Sequence, residues 1–302
     1  IVLSARLFGD IVRRLPDSGV HIDTDDKNMT TVTSGQSNFS IVGIPAEEYP
    51  ELPTISGETG ISLPNGVLKG MIRQTIFAVA ESDAKPIHTG TLFEIGGGKI
   101  RLVSVDGYRL ALREEAVQSG DLDISFVVPG KTLQEISKLL PDNDETCTFQ
   151  VGSRHILFSV GNYTVISRLL EGEFLDYRAA IPQTSTSEAV IKTQDFISSV
   201  ERVSLLITER LKSPVRCIFD ENEVRLSCYT PIGRASDSFP EQLTGPAVEM
   251  GFNDKYLLDA LRNTEGDQVK IQLNGPLSPM KVLPSEGDSY LFLVLPVRLK
   301  SE

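Results

Sequence analysis

A short apolar strand followed by an amphipathic helix recurs five times along this 302-residue chain. Each copy has two to four strand-like residues, and a helix with apolar residues at helical spacing follows them. The copies begin at Ile1, Ile61, Phe126, Val190 and Met250. A recurrence every 60 to 65 residues indicates an internal repeat, in which one supersecondary unit is used again and again.

The residues that start each helix support this interpretation. Ser4, Thr193 and Asn253 are of the types that cap helices. Pro64 and Pro129 suit a helix start, where a backbone N–H is not needed. The apolar spacing that follows them predicts helices over residues 4–16, 65–80, 129–141, 193–207 and 252–263.

The sequence between these helices is typical of β-strands. Glycine-containing turns at 96–98 and 161–162 separate apolar or alternating runs, which predicts two hairpins. The predicted strands cover residues 92–94, 99–104, 109–113, 156–160, 163–169, 269–273, 280–283 and 290–297. Helices and strands together predict an α+β fold built from repeated units.

A longer period groups the units in pairs. The pattern around Phe93 and Arg101 returns around Phe219 and Arg225, so that two units make a domain of about 125 residues. Stretches rich in Pro, Ser, Thr and Gly at 51–60 and 183–188 predict the linkers. We therefore expect residues 59–184 and 185–302 to form two domains and residues 1–58 to be the second half of another. Since the chain also lacks an initial Met, we expect an N-terminally truncated chain.

Composition excludes several classes of protein. There is no run of about eighteen apolar residues, which a membrane-spanning helix needs, and no basic-then-apolar secretion signal. Cys147, Cys217 and Cys228 form no CxxC pair and predict buried, reduced thiols in a cytoplasmic protein. The sequence predicts no membrane association, no metal site and no cofactor.

Catalytic motifs are scarce. His21, His88 and His155 have no recognisable spacing to a nucleophile, and no zinc-protease, nucleophile-elbow or phosphate-loop motif occurs. Ser278 and Lys281 match SxxK formally, which leaves a Ser–Lys hydrolase as one hypothesis. That motif requires both residues on one helical turn, whereas Pro279 and the apolar residues after it favour a strand.

Charge is distributed unevenly between the predicted helices and the remainder. The five helices hold ten basic and six acidic residues and carry +4, which leaves −16 for the other residues of a chain with net charge −12. The ten basic residues are Arg6, Arg13, Arg14, Lys69, Arg73, Lys131, Lys138, Arg202, Lys255 and Arg262. Mixed solvent-exposed helix faces explain such a bias equally well. In a repeat protein whose helices share one side, it would create a basic surface suited to the phosphate backbone of nucleic acid.

Two apolar stretches indicate a possible groove. Residues 103–110 place a turn with Tyr108 beside a strand, and residues 290–299 are apolar almost to the end of the chain. One interpretation of the tail is a buried last strand. The other is an apolar groove that accepts a partner peptide.

Taken together, these stretches resemble the bacterial sliding clamps, the beta subunits of DNA polymerase III. The resemblance covers the whole chain and rests on LSARLFGDIVRRLP, SGQSNFSIVGIPAEEYPELP, TGTLFE, VSVDGYRLAL, EGEFLDYRAAIP and LVLPVRL. It implies a DNA-clamp fold, in which repeated domains have two helices inside and antiparallel sheets outside. It also implies a non-catalytic, ring-forming homodimer that encircles duplex DNA and binds the polymerase alpha subunit, a clamp loader and other proteins with clamp-binding motifs.

The resemblance further implies a pocket for partner peptides between the second and third domains. Its positions in this chain would be His88, Val105, Gly107, Tyr108, Arg109, Leu110, Leu175, Ala179, Ala180, Tyr256, Leu277, Pro279, Met280, Leu293, Leu295, Val297 and Arg298. The chain departs from the commoner family pattern at His88, Leu175, Ala179 and Ala180, so we expect a wider or more polar mouth.

The dimer interface implied by the resemblance joins the first domain of one copy to the third domain of another. Its positions would be Gln36, Asn38, Phe39, Ile41, Leu206 and Ile207. Because Gln36 and Asn38 replace arginines of some relatives, we expect apolar burial to contribute more to this interface than ion pairing does. The remaining alternative is a β-rich repeat scaffold that binds proteins and has no role on DNA.

Overall fold

The computed structural model describes residues 1–16, 19–51, 53, 55, 60–82 and 84–299. The chain divides into two compact units, Ile1–Thr54 and Ile55–Glu302, and each is described by itself.

The first unit combines one helix with a three-stranded antiparallel sheet. Ser4 caps the helix through its hydroxyl, which accepts the Leu7 N–H, as its residue type predicts. The elements are α1 (Ala5–Val12), β1 (His21–Thr24), β2 (Met29–Ser34), β3 (Ser37–Val42) and a 3₁₀ turn (Ala46–Glu48). Strand β2 is central and β3 is an edge strand of this sheet.

The described residues of the second unit form five α-helices and a 3₁₀ turn (Pro86–Thr89), and four of the α-helices follow on a strand, as the repeat predicts. They are α2 (Asn65–Ile76), α3 (Gly130–Leu139), the short α4 (Tyr177–Ala180), α5 (Thr193–Ser204) and α6 (Asp254–Arg262). The predicted starts are right to within two residues, but the helices end earlier than predicted. Helix α2 shows why, since the Ala80 N–H donates to the His88 carbonyl and so turns the chain out of the helix.

In the described part of the second unit, seventeen strands form three antiparallel sheets. Their bounds are β4 (Gly60–Pro64), β5 (Gly90–Gly96), β6 (Lys99–Val105), β7 (Arg109–Ala116), β8 (Ile124–Pro129), β9 (Thr146–Val151), β10 (His155–Val160), β11 (Tyr163–Arg168), β12 (Ser187–Lys192), β13 (Val215–Phe219), β14 (Glu223–Thr230), β15 (Gly233–Pro240), β16 (Leu243–Thr244), β17 (Val248–Phe252), β18 (Gln268–Leu273), β19 (Met280–Pro284) and β20 (Tyr290–Val294). Both predicted hairpins are present, and Gly97, Gly98 and Gly161 supply the positive φ angles of their turns.

A nine-stranded sheet crosses the predicted boundary between the two domains of this unit. Its order is β16-β12-β18-β19-β20-β7-β6-β5-β8, so β20 near the end of the chain pairs with β7. The four-stranded sheets have the orders β11-β10-β9-β4 and β15-β14-β13-β17. The α+β class with antiparallel sheets is thus confirmed.

The helices cover the sheets and bury an apolar face. Leu68, Met71 and Ile72 of α2 are fully buried with the aromatic residues of one core, while Phe196 and Val200 of α5 belong to another. Helix α2 packs against α3, and α5 packs against α6. The Gln74 Nε2 donates to the Asn263 carbonyl at 3.1 Å, which links the end of α2 to the residue after α6.

Several predicted boundaries differ from the structure. The predicted linker at 183–188 is too long, because Ser187 and Glu188 already pair with β18. The predicted strand 290–297 stops at Val294. Most of the predicted linker at 51–60 and the boundary between 58 and 59 lie outside the described residues, and the division into domains stays a prediction.

We expect Phe292→Ala to lower the stability of the second unit strongly. The ring is fully buried, meets Phe77 edge-on at 5.2 Å and stacks on Tyr290 at 4.8 Å. Removing it leaves a cavity and should cost about 3–5 kcal/mol, read as a lower denaturant midpoint. Tyr163→Ala at an exposed edge position is the control and should cost less than about 0.5 kcal/mol. Equal effects of the two substitutions would contradict the packing described here.

Candidate functional site

The pairing of β7 with β20 brings together residues that are almost 200 positions apart in the sequence. Val105 pairs with Leu110 across β6 and β7, and Leu110 pairs with Leu293 across β7 and β20. All three side chains are buried in one apolar cluster. The other buried members of this cluster are Ile87, Leu92, Val103, Val127 and Tyr177. Three predicted pocket positions thus form one continuous apolar row.

The turn between β6 and β7 forms an exposed aromatic edge beside this row. The Asp106 carboxylate accepts the backbone N–H groups of Tyr108 and Arg109 at 2.9 and 3.0 Å. Gly107 has a φ of +92°, which a residue with a side chain rarely adopts. The turn holds Tyr108 with 61% of its surface exposed, stacked on Tyr256 of α6 at 5.9 Å.

Arg109 is buried beneath this aromatic pair. Its guanidinium pairs with Asp106 at 2.9 Å and with Asp259 of α6. It also lies over the rings of Tyr256 and Phe77, at 4.5 and 5.6 Å from the ring centres. Because these groups satisfy the charge of Arg109, its role in the structure is to hold α6 against the turn.

Helix α4 is fixed to the same sheet through Glu94 of β5. The Tyr177 hydroxyl and the Arg178 guanidinium donate to one Glu94 carboxylate oxygen at 2.5 and 2.7 Å. Burial, together with the adjacent Glu94 carboxylate, raises the pKa of Tyr177 to about 12. The next two predicted pocket residues, Ala179 and Ala180, are exposed and small.

A cleft of about 580 Å³ lies between residues 84–88 and 171–176. His88 is buried in it and meets the Phe174 ring edge-on at 5.4 Å, while Leu175 is exposed beside them. Burial and, secondarily, the charge of Lys85 lower the pKa of His88 below its usual value. The ring is therefore neutral at pH 7.

The last segment of the chain forms a further boundary of this region. The Leu295 N–H donates to the Tyr108 carbonyl, and the Val297 N–H donates to the Gly251 carbonyl, at 2.9 and 2.8 Å. A Cβ on Gly251 would lie 2.8 Å from the Val297 carbonyl oxygen, so this close approach requires glycine. The predicted residues Leu277, Leu295, Val297 and Arg298 are exposed, and Pro279 is half-buried.

Met280 is the predicted pocket residue whose placement differs most from expectation. It has no exposed surface and belongs to the apolar core that contains Phe292 and Val294, not to the cluster around Leu110. Met280 is as enclosed as Leu110 and Leu293, and its contact with a partner peptide stays a prediction.

The hydrolase hypothesis fails on local structure. Lys281 lies in strand β19, so the helical turn that SxxK chemistry needs is absent here. Its ammonium group is buried and donates to the Pro182 carbonyl at 3.0 Å.

The ten predicted DNA-facing cations fall into two groups. Seven make ion pairs with nearby acids within 4.0 Å. These seven are Arg13, Arg14, Arg73, Lys138, Arg202, Lys255 and Arg262. Within the described part of the chain, Arg6, Lys69 and Lys131 make none. Arg13 and Arg14 also lie beyond the last residue of α1, so they are not helical as predicted.

The predicted interface residues lie at exposed edges of the two units. Gln36, Asn38 and Phe39 are exposed on the β2–β3 hairpin, and Ile41 is half-buried in β3. Leu206 and Ile207 follow α5 and are half-buried, and Leu205 before them is 80% exposed.

Sequence reasoning missed Phe174, Tyr177 and Asp259. The aromatic residues stood within EGEFLDYRAAIP, but nothing in the sequence indicated that they would pack on His88 and Glu94. Asp259 is one of the six acidic residues of the predicted helices, and its pairing with Arg109 over 150 positions has no local signal.

Comparisons with known proteins agree along the whole chain. Family models described as the DNA polymerase III beta subunit match at residues 1–53 (N-terminal domain), 62–176 (central domain) and 178–298 (C-terminal domain). The beta sliding clamps of Bacillus subtilis (strain 168) and Staphylococcus aureus are 34% and 33% identical over 302 and 300 residues. In both cases the alignment covers 99% of this chain and 80% of the relative.

Solved structures give the same result. The crystal structure of the Bacillus subtilis DNA polymerase sliding clamp superposes with a TM-score of 0.93 at 33% identity, covering 99% of this chain and 80% of that one. The DNA polymerase III subunit beta of Pseudomonas aeruginosa superposes with a TM-score of 0.90 at 28% identity, covering 98% and 81%. The chain belongs to the DNA polymerase III beta-subunit family, the bacterial sliding clamps. Like the family, it is a non-catalytic processivity factor and not an enzyme. No helix among the described residues is long and apolar enough to cross a membrane.

We expect Asp259→Asn to destabilise the contact between α6 and the 106–109 turn. The substitution removes one of the two carboxylates that neutralise buried Arg109. As Asp259 itself is partly exposed, the loss should be about 1–2 kcal/mol, measured by denaturant unfolding. The matched control is Glu209→Gln, which also removes one negative charge, from an exposed pair with Lys255, and should leave the midpoint unchanged. Similar midpoints for both variants would contradict the role assigned to Arg109.

Proposed function

We propose that two copies of this chain close head to tail around duplex DNA, and that the ring tethers a DNA polymerase to its template. The observation that carries the proposal is the agreement with sliding clamps along 99% of the chain. Processivity then follows from topology, because a partner bound to a ring on DNA meets the same template again at high effective concentration. The ring would work in the bacterial cytoplasm.

The DNA contacts proposed here are loose and independent of sequence. Lys69 and Lys131 project from α2 and α3, which pack together, and neither is neutralised by an acid of the described chain. Such cations attract phosphates without reading bases, so few specific bonds have to break when the ring slides. The cations paired with acids would contribute less, since each competes with its own partner.

The proposed dimer contact uses exposed strand edges and apolar side chains. Strand β3 is an edge of its sheet and exposes Phe39 and Asn38, and β15 is an edge of the sheet beside Leu206 and Ile207. Edge strands present unpaired backbone groups that another chain satisfies by adding a strand. Neutral Gln36 and Asn38 leave apolar contact as the main source of affinity.

The proposed partner pocket is the surface above the row Val105, Leu110 and Leu293, bounded by Tyr108 and the segment 295–298. A peptide with a few apolar anchors suits such a surface, in which buried anchors dominate the binding energy. The polymerase alpha subunit, the clamp loader and other proteins with clamp-binding motifs are the partners proposed for it.

We expect the double variant Lys69→Glu, Lys131→Glu to lose retention on DNA and to keep peptide binding. The ring is loaded by its own clamp loader on nicked circular plasmid, and bound protein is measured by gel filtration at increasing salt. A ring of two copies loses four such lysines, so retention should weaken and the salt slope should fall by about 4. The control variant Lys27→Glu, Lys212→Glu makes the same change of charge at two exposed lysines outside the predicted helices. Equal retention of the two double variants would contradict the assignment, and a wild-type ring that never stays on circles would favour the protein-binding scaffold.

We expect Val297→Asp to weaken binding of a clamp-motif peptide at least about tenfold. The side chain is 43% exposed at the proposed pocket, and the backbone bond of Val297 to Gly251 does not depend on it. A carboxylate there has to be desolvated when an apolar anchor binds. Val190→Asp, at a 38% exposed position of β12, is the matched control and should bind normally by fluorescence anisotropy. Unchanged affinity in Val297→Asp would place the pocket elsewhere.

A further inference from the structure

The imidazole of one buried histidine, in the cleft next to the apolar cluster, has no hydrogen-bond partner among the described residues. His88 is 9% exposed, and its backbone is held by bonds to Ala80 and Lys85. No side-chain hydrogen bond involves its imidazole, yet neither ring nitrogen is among the fully enclosed atoms that lack a partner. Both nitrogens therefore keep some accessible surface, and His88 is one of the residues that line the cleft.

The other residues that line the cleft are apolar or charged. Phe174 meets the imidazole edge-on at 5.4 Å, and Ile87 is a buried apolar residue of the lining. The charged lining residues Lys85, Glu171, Glu173 and Asp176 are exposed at the rim, where water solvates them. Among the described lining residues, His88 is thus the buried polar side chain that a ligand in this cleft would meet.

The chemistry of the ligand follows from these walls. An imidazole kept neutral by burial and by Lys85 has one donor and one acceptor nitrogen. A wholly apolar anchor would displace the water that hydrogen-bonds to these nitrogens and would offer no hydrogen bond in its place, which costs free energy of binding. A carboxylate would approach the three rim acids, which repel it. A hydroxyl is neutral, accepts as well as donates, and so satisfies either nitrogen.

An aromatic ring is the apolar body that fits beside Phe174. Edge-to-face and offset contacts between rings add to the energy of area burial, and a cleft of about 580 Å³ has room for one ring. Tyrosine combines such a ring with a hydroxyl at its tip.

We propose that His88 makes this cleft selective for partner peptides that insert a tyrosine, whose hydroxyl hydrogen-bonds to the imidazole. This inference rests on the proposed peptide-binding function and adds the side-chain chemistry of one anchor. His88 is accordingly a specificity-determining residue.

The test compares two clamp-motif peptides that are identical except at one anchor, which is phenylalanine in one peptide and tyrosine in the other. Their dissociation constants for the intact protein are measured by fluorescence anisotropy at pH 7.5. One additional hydrogen bond in a buried cleft predicts about three- to tenfold tighter binding of the tyrosine peptide by the wild type. An equal or higher affinity for the phenylalanine peptide would overturn the inference without any variant being needed.

Variants assign the preference to His88. His88→Leu removes both nitrogens at similar volume, so it should bind the phenylalanine peptide at least as well as the wild type and lose the preference for tyrosine. His88→Gln retains a hydrogen-bond donor and an acceptor and should keep part of the preference for the tyrosine peptide. His21→Leu, an exposed histidine of the first unit, is the control and should keep all of it.

The possible results distinguish a failure of this inference from a failure of the proposed peptide-binding function. A tyrosine preference that persists in His88→Leu would overturn the role of His88 and leave the pocket intact. If neither peptide binds the wild type, the pocket assignment itself is overturned, and with it the inference. Loss of all binding in His88→Leu, with normal binding in His88→Gln, would mean that His88 is needed for folding and not for selectivity. Equal unfolding midpoints of the two variants would exclude that explanation.

Discussion

The antiparallel pairing of β7 with β20 is the interaction on which the second unit depends. It joins residues 109–113 to residues 290–294 and so turns two groups of strands into one nine-stranded sheet. Without it, Leu293 would not lie beside Leu110, and Phe292 would not meet Phe77. The apolar row of the proposed pocket is therefore a direct consequence of strand register. Since a slip by one residue would turn every side chain of β20 to the other face, the buried aromatic residues of β20 fix the pocket geometry.

Arg109 adds a second constraint at the same joint. A buried guanidinium is costly unless it is paired, and here the carboxylates of Asp106 and Asp259 and two aromatic faces surround it. Asp106 belongs to the turn that carries Tyr108, whereas Asp259 belongs to α6, which also carries Lys255 and Arg262. The edge of the proposed peptide pocket and a helix of the proposed DNA-facing surface thus share one buried charge. A change at either surface that moves this turn or this helix has to keep that charge neutralised.

Local signals in the sequence predicted five of the six described α-helices and most of the strands, but not β1–β3, β9 and β13–β16. The residues at Ser4 and Asn253 cap helices through their own side chains, and glycines at the predicted hairpins supply left-handed backbone, all of which short-range chemistry determines. The ends of the helices were less predictable. The chain leaves α2 where the Ala80 N–H donates to the carbonyl of His88, a residue outside the helix. The predicted pocket positions rest on the family resemblance. The structure adds the burial of each side chain and the partners of its polar atoms. Met280 is enclosed in the core, and Arg109 and His88 differ in whether their polar atoms are already satisfied. The burial and the polar contacts of these residues depend on packing between segments that are distant in the sequence, so no local sequence pattern predicts them.

The ion pairs give a physical interpretation of the charge bias of the helices. Counted by sequence, the predicted helices are basic, but acids of the same chain hold seven of the ten cations. Exposed pairs of this kind contribute little stability, so their main effect is to reduce the positive potential of the surface without removing the cations. A phosphate gains less electrostatic free energy from a cation in such a pair than from a free lysine. It therefore also loses less when it moves away. A sliding ring needs attraction that is sufficient to follow the duplex and weak enough not to stop on it. The proposed DNA-facing surface, with a few free cations among many that are paired with acids, would meet both requirements within an acidic protein.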